Sequence, residues 1–365
     1  MTAELQSTPL LLTGFPGFLA DHLLRELASA TTGPIHLLCL PTLADKARRR
    51  MRRLEAAHPG LGGRWEVHGG DITRSHLGLG QKTYGALAAE VGVVWHLAAI
   101  YDLAVGREAA FEVNVGGTGR VLEFCAEAVG LQRLNYVSTC YVSGTRTGTI
   151  LETELDCGQA HKNYYEETKF WAEVEVQRRA EQQGIPTAIL RPGIIVGHSQ
   201  TGEVGKYDGP YYIFQLLHRL PEWMPFPNVG RGDAAVNLIP IDFAARALVA
   251  LGHNPGHQGT YHIADPYPVT ARQIVDSLLQ LLGRKPAVGS LPPDWVERAL
   301  ANQLVKGWAE VPVEALAYFN HDARYDTRRS AEALGRLGIS CPPLPTYLDR
   351  LLDYYLLHPE APPTL

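Results

Sequence analysis

From Pro9 to Arg191 the chain alternates short, almost uninterrupted apolar runs with helix-length amphipathic stretches, and this rhythm narrows the fold more than any other feature. The runs Pro9–Thr13, Ile35–Leu40, Trp65–His68, Val93–Ala98, Arg133–Ser138 and Thr187–Arg191 lack the polar alternation of a half-exposed strand. Each therefore reads as a strand covered on both faces, the condition of a parallel sheet. Between them Gly17–Ala30, Ala44–Ala57, Arg107–Val129 and Tyr164–Gln183 read as helices, with Gly130 and Gly184 as C-terminal stops. Strand and helix in strict alternation give an α/β fold with a doubly wound parallel sheet.

Beyond Gly197 the rhythm breaks at Gly202, Gly205, Gly209, Pro210, Pro221, Pro225, Pro227, Gly230 and Gly232, then resumes in Val236–Ala250 and Thr260–Ala264. Thr270–Leu282 and Asp294–Leu304 are expected to be helices of a smaller lobe with a Pro-rich tail at Pro359, Pro362 and Pro363. The expected division is a sheet domain of residues 1–197 and 236–265 and a smaller, mostly helical C-terminal lobe of 198–235 and 266–365.

The 33 Lys and Arg against 38 Asp and Glu give a net charge of −5, so no basic field is available for nucleic acid or an anionic membrane. The expected ligand is a small molecule. Cys39, Cys125, Cys140, Cys157 and Cys341 are odd in number, with no CxxC or Cys/His ligand spacing, which reads as reduced thiols, no metal site and a cytoplasmic protein. Met1–Thr8 has no basic leader character, and no apolar run approaches the ~20 residues of a membrane span.

The first strand runs directly into Thr13-Gly14-Phe15-Pro16-Gly17-Phe18-Leu19-Ala20 and a helix. There Gly14 permits a tight turn, Gly17 lets backbone approach a pyrophosphate, and Ala20 permits close packing, while the helix N-terminus presents free N–H groups to an anion. Asp71, after the third strand, either accepts from an adenine amino group or caps the N-terminus of a following helix; Ala98 and Ala99 either admit a cofactor or pack tightly. The second strand ends Cys39-Leu40-Pro41-Thr42 without the carboxylate that favours NAD, and Lys46, Arg48, Arg49 and Arg50 follow. These residues point to NADP, with NAD as the alternative, unless the basic run is simply a solvated helix face.

Tyr165 and Lys169 stand at i and i+4 on one helix, so they share a face, and an ammonium there, with an oxidised nicotinamide, would draw a phenol's pKa toward neutrality. Thr139, at the end of the fifth strand, either holds a substrate oxygen or caps a turn. Together the three groups compose a hydride-transfer site. In Val204–Phe214, Lys206 suits an anionic handle, while Tyr207, Tyr211 and Phe214 either line an apolar pocket or pack the lobe. Trp223, Met224 and Phe226 add apolar area, and an acyl or lipid-like substrate is one reading; isolated His161, His198 and His262 receive no role.

These residues resemble the extended short-chain dehydrogenase/reductases from Leu10 to about Ala264. The likeness rests on the Gly14/Gly17/Ala20 turn, Gly70-Asp71, His96-Leu97-Ala98-Ala99, Asn114-Val115-Gly116-Gly117-Thr118, Thr139, Tyr165/Lys169 and Arg191-Pro192-Gly193. The resemblance implies a Rossmann-like domain whose catalytic residues are Thr139, Tyr165 and Lys169. It implies that the cofactor lies against Gly14, Phe15, Pro16, Gly17, Phe18, Leu19, Asp71, Ile72, Leu97, Ala98, Ala99, Asn114, Tyr165, Lys169, Pro192 and Gly193. Within the family the chain looks most like the fatty acyl reductase and thioester reductase, or male-sterility-type, branch. Sugar-nucleotide epimerases usually carry Arg-Tyr-Phe-Asn where this chain has Arg191-Pro192-Gly193-Ile194. It departs from acyl reductases at Pro41-Thr42 and in having no carrier-protein domain or hydrophobic anchor after the lobe. The implied activity is hydride transfer to a carbonyl or acyl thioester, with epimerisation or dehydration of a sugar nucleotide, or non-enzymatic NADP sensing, as alternatives. A homodimer through Arg107–Val129 and Tyr164–Gln183 is also implied.

Overall fold

The computed structural model describes residues 3–101, 105–254, 256–301 and 318–360. Seven strands form one parallel sheet: β1 (Leu10–Thr13), β2 (Ile35–Cys39), β3 (Trp65–Gly69), β4 (Val93–His96), β5 (Arg133–Val137), β6 (Thr187–Pro192) and β7 (Gly259–Ile263). Their spatial order is β7-β6-β5-β4-β1-β2-β3, so the chain reverses direction across the sheet between β1 and β4. A crevice opens at the carboxyl ends of the strands at such a point. The pairing Thr13↔His96 places both residues on its floor.

The apolar runs alternate faces. Leu10 and Leu12 pack with helices Phe18–Ala30, Ala44–Ala57 and Ile241–Gly252, whereas Leu11 packs with Gln81–Glu90, Thr118–Glu127 and Tyr164–Gln183. Burying each leucine contributes roughly 1.5–3 kcal/mol, which is why neither face tolerates a polar residue there.

Helix Gln81–Glu90 is absent from the sequence reading because its buried stripe is thin, only Tyr84, Leu87 and Ala88. The helix expected over Arg107–Val129 starts at Arg107 but passes through a widened π turn at Phe111–Gly117 and ends at Glu127, short of Gly130. Gly184 does terminate Tyr164–Gln183, at φ +65°. Val236–Ala250 resolves into a short strand, Leu238–Pro240, and the helix Ile241–Gly252.

A third core joins Tyr207, Tyr211, Phe214 and Leu217 to Ile274, Leu278 and Leu348–Tyr355, so the three aromatics pack the lobe rather than line a pocket. Helix Ala271–Leu281 in this core begins with a reciprocal cap between Thr270 and Gln273. Helix Arg328–Gly335 returns Ala333 and Leu334 to the sheet. The helix at Asp294 covers Pro293–Ala301; the remainder of Asp294–Leu304 and Pro362 and Pro363 lie outside the described residues. Among the described residues no helix is long and apolar enough to cross a membrane.

Candidate active site

The loop between β1 and helix Phe18–Ala30 is shaped by two glycines. Gly14 has φ +93°, and a Cβ there would lie 2.9 Å from the backbone of Leu97 and Ala98; one on Gly17 would lie 2.7 Å from the Gly14 carbonyl. The Gly17 amide donates to that carbonyl at 2.9 Å, and Gly17 caps the helix with no side chain in front of its N–H groups. This bare N-terminus at the sheet's switch point fits a dinucleotide pyrophosphate.

The crevice floor is fixed by one histidine. The Thr13 hydroxyl accepts from the amides of Leu97 (3.2 Å) and Ala98 (3.1 Å), so its proton goes to His96 Nδ1 at 2.8 Å. His96 Nε2–H then faces Thr118 Oγ1 at 3.0 Å, and Thr118 donates to the Asn114 carbonyl at 2.6 Å. Burial lowers the His96 pKa to about 3, so this chain of neutral donors clamps β1 to β4 across the physiological range.

A single cleft of about 870 Å³ is lined by Gly14, Phe15, Pro16, Gly17, Phe18, Leu19, Asp71, Ile72, Leu97, Ala98, Ala99, Thr139, Tyr165, Lys169, Pro192 and Gly193. Phe15 contributes chiefly backbone, its ring being buried in the core. Asp71 faces the cleft while its Oδ1 accepts from the amide (2.9 Å) and hydroxyl (2.8 Å) of Thr73; it closes a local turn and does not cap the helical segment Ser75–Gly78, whose N-cap is Arg74. On the far wall Gly205 packs so closely that a Cβ would lie 2.8 Å from Phe18 Cβ, which brings the Val204–Gly209 loop over the glycine turn.

Thr139 and Tyr165 line this cleft together, close enough that the Thr139 side chain lowers the Tyr165 pKa against the effect of burial. Thr139 Oγ1 accepts from the Tyr141 amide at 3.2 Å, which is the turn-capping reading, while its side chain lines the cleft. Asn163 caps the helix carrying Tyr165, accepting from the Glu166 amide at 3.0 Å. Burial raises the Tyr165 pKa to about 12 despite the neighbouring Thr139, and burial lowers that of Lys169 to about 7 despite the Glu173 charge. Lys169 Nζ donates to the Val137 carbonyl at 2.8 Å and lies 4.3 Å from the Tyr136 ring centroid.

Two expectations are corrected. Asn114 is buried away from the cleft: its Oδ1 accepts from the Ile100 amide (2.8 Å), and its Nδ2 donates to the Ile100 carbonyl and to Thr168 Oγ1, both at 2.9 Å. It thereby ties the widened turn to the start of the Tyr165 helix and is a positioning residue. Of the basic run only Lys46 lines the cleft. Arg50 forks onto Asp21, with Nη2 2.8 Å from Oδ2, and Arg48 bonds Asp45 at 3.0 Å. On the opposite side Lys206 lines the cleft beside Tyr101, Asp208, Tyr212, Tyr318 and Phe319, whereas Trp223 is exposed outside it and Phe226 is buried in the lobe.

A buried ion pair beneath the site escaped the sequence reading. Glu173 Oε1 accepts from Arg191 Nη2 at 2.5 Å and Nε at 3.0 Å, and Glu173 Oε2 accepts from Ser138 Oγ at 2.5 Å. Arg191 Nη1 donates to His262 Nε2 at 3.2 Å, which leaves His262 Nδ1–H to the Asp326 carbonyl at 2.8 Å. Ser138 adjoins Thr139, and Glu173 stands one turn beyond Lys169, an i+4 spacing that was the available signal.

Sheet, glycine turn and the Thr139/Tyr165/Lys169 group define an NAD(P)-binding reductase of the extended short-chain dehydrogenase/reductase class. Within that class the chain belongs to the NAD-binding family described as Male sterility protein, which residues 12–248 match. It is 30% identical over 289 residues to the glycine betaine reductase ATRR of Emericella nidulans, an alignment covering 74% of this chain and 22% of that protein. It is 26% identical over 365 residues to a linear gramicidin synthase polypeptide of Brevibacillus parabrevis, covering 94% of this chain and 7% of that protein. The chain thus spans only a small part of the length of these relatives. Among solved structures, the terminal R domain from the myxalamid PKS-NRPS biosynthetic pathway superposes with a TM-score of 0.81 at 26% identity, covering 98% of this chain and 93% of that one.

Proposed function

We propose that the chain reduces an acyl thioester, or the carbonyl derived from it, with NADPH. The observation that carries this reading is the pair of hydroxyls, Thr139 and Tyr165, lining the same cleft as the bare glycine turn. Gly14–Leu19, Ala98, Pro192 and Gly193 would hold the cofactor, which when bound would supply the hydride to the substrate carbon. Tyr165 gives the proton to the substrate oxygen, Thr139 orients that oxygen, and Lys169 stabilises the phenolate left behind. With a thioester, one hydride and one proton yield an aldehyde and a thiol. Lys46 supports NADP over NAD as the one cation of its helix at the cleft. Residues 1–197 and 236–265 form the cofactor-binding unit in this reading, and 198–235 and 266–365 the substrate-facing one. The reading places the protein in the cytoplasm, with the segments Arg107–Val129 and Tyr164–Gln183 as the surface of a homodimer.

The test follows NADPH and NADH oxidation with acyl-CoAs, aldehydes, ketones and sugar nucleotides. Oxidation of NADPH by an acyl-CoA or aldehyde is expected. Turnover of a sugar nucleotide on retained NAD, with no acyl or carbonyl reduction, would overturn the reading.

Gly14→Ala should lose NADPH binding, read as loss of the nucleotide's fluorescence change. Its positive φ and its contact with the Leu97–Ala98 backbone leave a side chain no place except the turn itself, at roughly 1–3 kcal/mol of strain.

The pH profile is set by Lys169. Its ammonium is present below about 7 and lost above, whereas Tyr165, at about 12, remains a competent acid throughout. Reductive kcat/KM should therefore fall as pH rises through neutrality, and Lys169→Arg, charged at every working pH, should flatten that limb. A wild-type profile rising through the same range would remove this role for Lys169.

A further inference from the structure

On the sheet edge remote from the Tyr165 group, three donor side chains converge from two neighbouring strands. His36 lies on β2 and Glu66 and His68 on β3, and the parallel pairing sets His36 opposite Glu66. His36 Nδ1 is 3.0 Å from His68 Nε2, His68 Nε2 is 3.8 Å from Glu66 Oε2, and the three donor atoms all lie within 4.8 Å of one another. A tetrahedral ion with bonds of about 2.0–2.1 Å holds its ligands roughly 3.3 Å apart; the two imidazole nitrogens already stand near that spacing at 3.0 Å, and the exposed Glu66 carboxylate has to close on them, from separations within 4.8 Å.

The surroundings suit a cation. Both imidazoles are buried, and burial lowers both pKa values, leaving neutral rings with a lone pair to give. His36 Nε2 is buried without a hydrogen-bond partner, yet the Glu90 carboxylate, at the end of helix Gln81–Glu90, lies 3.0 Å away and out of line. A small turn of that ring onto an ion brings Nε2–H to Glu90, the carboxylate support typical of metal-ligating histidine. Glu66 is exposed, so solvent can enter and occupy a fourth position.

The geometry points to a divalent transition-metal site of zinc type, ligated by His36 Nδ1, His68 Nε2 and the Glu66 carboxylate, with Glu90 behind His36. Two imidazoles and a carboxylate are borderline donors that favour zinc over magnesium or calcium. The site ties β2 to β3 just before Cys39–Leu43 and Gly70–Thr73, two segments that contribute to the cleft wall, so the ion would brace that wall rather than take part in hydride transfer. Local motif spacing hid the site, because its ligands are neighbours only through strand pairing.

The test uses the full, tag-free chain stripped with EDTA and titrated calorimetrically with ZnCl2. Saturable binding of one ion per chain is expected, with a thermal midpoint that rises on zinc addition and returns with EDTA. Glu66→Gln, on an exposed side chain, should keep the wild-type circular dichroism and weaken binding by roughly tenfold or more. His68→Gln should remove it. Cobalt(II) in place of zinc should give the intense visible bands of tetrahedral coordination in wild type and not in Glu66→Gln. Absence of saturable binding below about 100 μM zinc, or wild-type affinity in Glu66→Gln, overturns the assignment whatever the folding of His68→Gln.

Discussion

Tyr165→Phe is expected to lower kcat for carbonyl or thioester reduction by roughly 10²–10⁴-fold, the range that a positioned proton donor supplies. The ring stays, so cleft shape and NADPH binding should be unaltered; only the hydroxyl beside Thr139 is lost. Burial holds this phenol near 12, so in the reductive direction it is a protonated acid at every working pH and needs no prior activation. In the proposed chemistry the lysine's contribution then lies in stabilising the phenolate as it forms. Thr139→Ala should cost less, because Tyr165 still reaches the substrate oxygen. The double variant should be little worse than Tyr165→Phe, since both hydroxyls act on one atom. Equal turnover by wild type and Tyr165→Phe, at saturating NADPH, would sink the proposed chemistry.

What the sequence made legible followed from how local each signal is. Continuous apolar runs disclosed β1 to β6 because strands covered on both faces are built mostly of apolar residues, and Gly14, Gly17, Thr139 and Tyr165 stood at strand ends or one helical turn from Lys169. Signals failed where the decisive partner was distant. Asn114 reads as a cofactor contact until Ile100 and Thr168 are seen to occupy its amide, and Arg50 reads as a phosphate ligand until Asp21 on another helix takes it. The turn at Phe111–Gly117 was illegible for a related reason: it departs from the helical period that a hydrophobic pattern measures.

The Glu173–Arg191 pair has the largest expected effect on stability. Both side chains are almost wholly buried, and every oxygen of the carboxylate is engaged. Glu173→Gln preserves shape but leaves Arg191 without its counter-charge in the core, which should cost roughly 3–5 kcal/mol in urea unfolding. The same substitution removes the one charge that raises the Lys169 pKa, so the alkaline loss of reductase activity should move to lower pH. Glu173→Leu combined with Arg191→Met replaces the pair by apolar volume and should recover much of the lost stability, because the desolvation cost of two charges disappears with them. It should not recover the pH profile, since Lys169 then has no neighbouring carboxylate at all. An unchanged profile in Glu173→Gln would show that Glu173 serves only the core, and a double variant as unstable as Glu173→Gln would show that the pair's hydrogen bonds outweigh its desolvation.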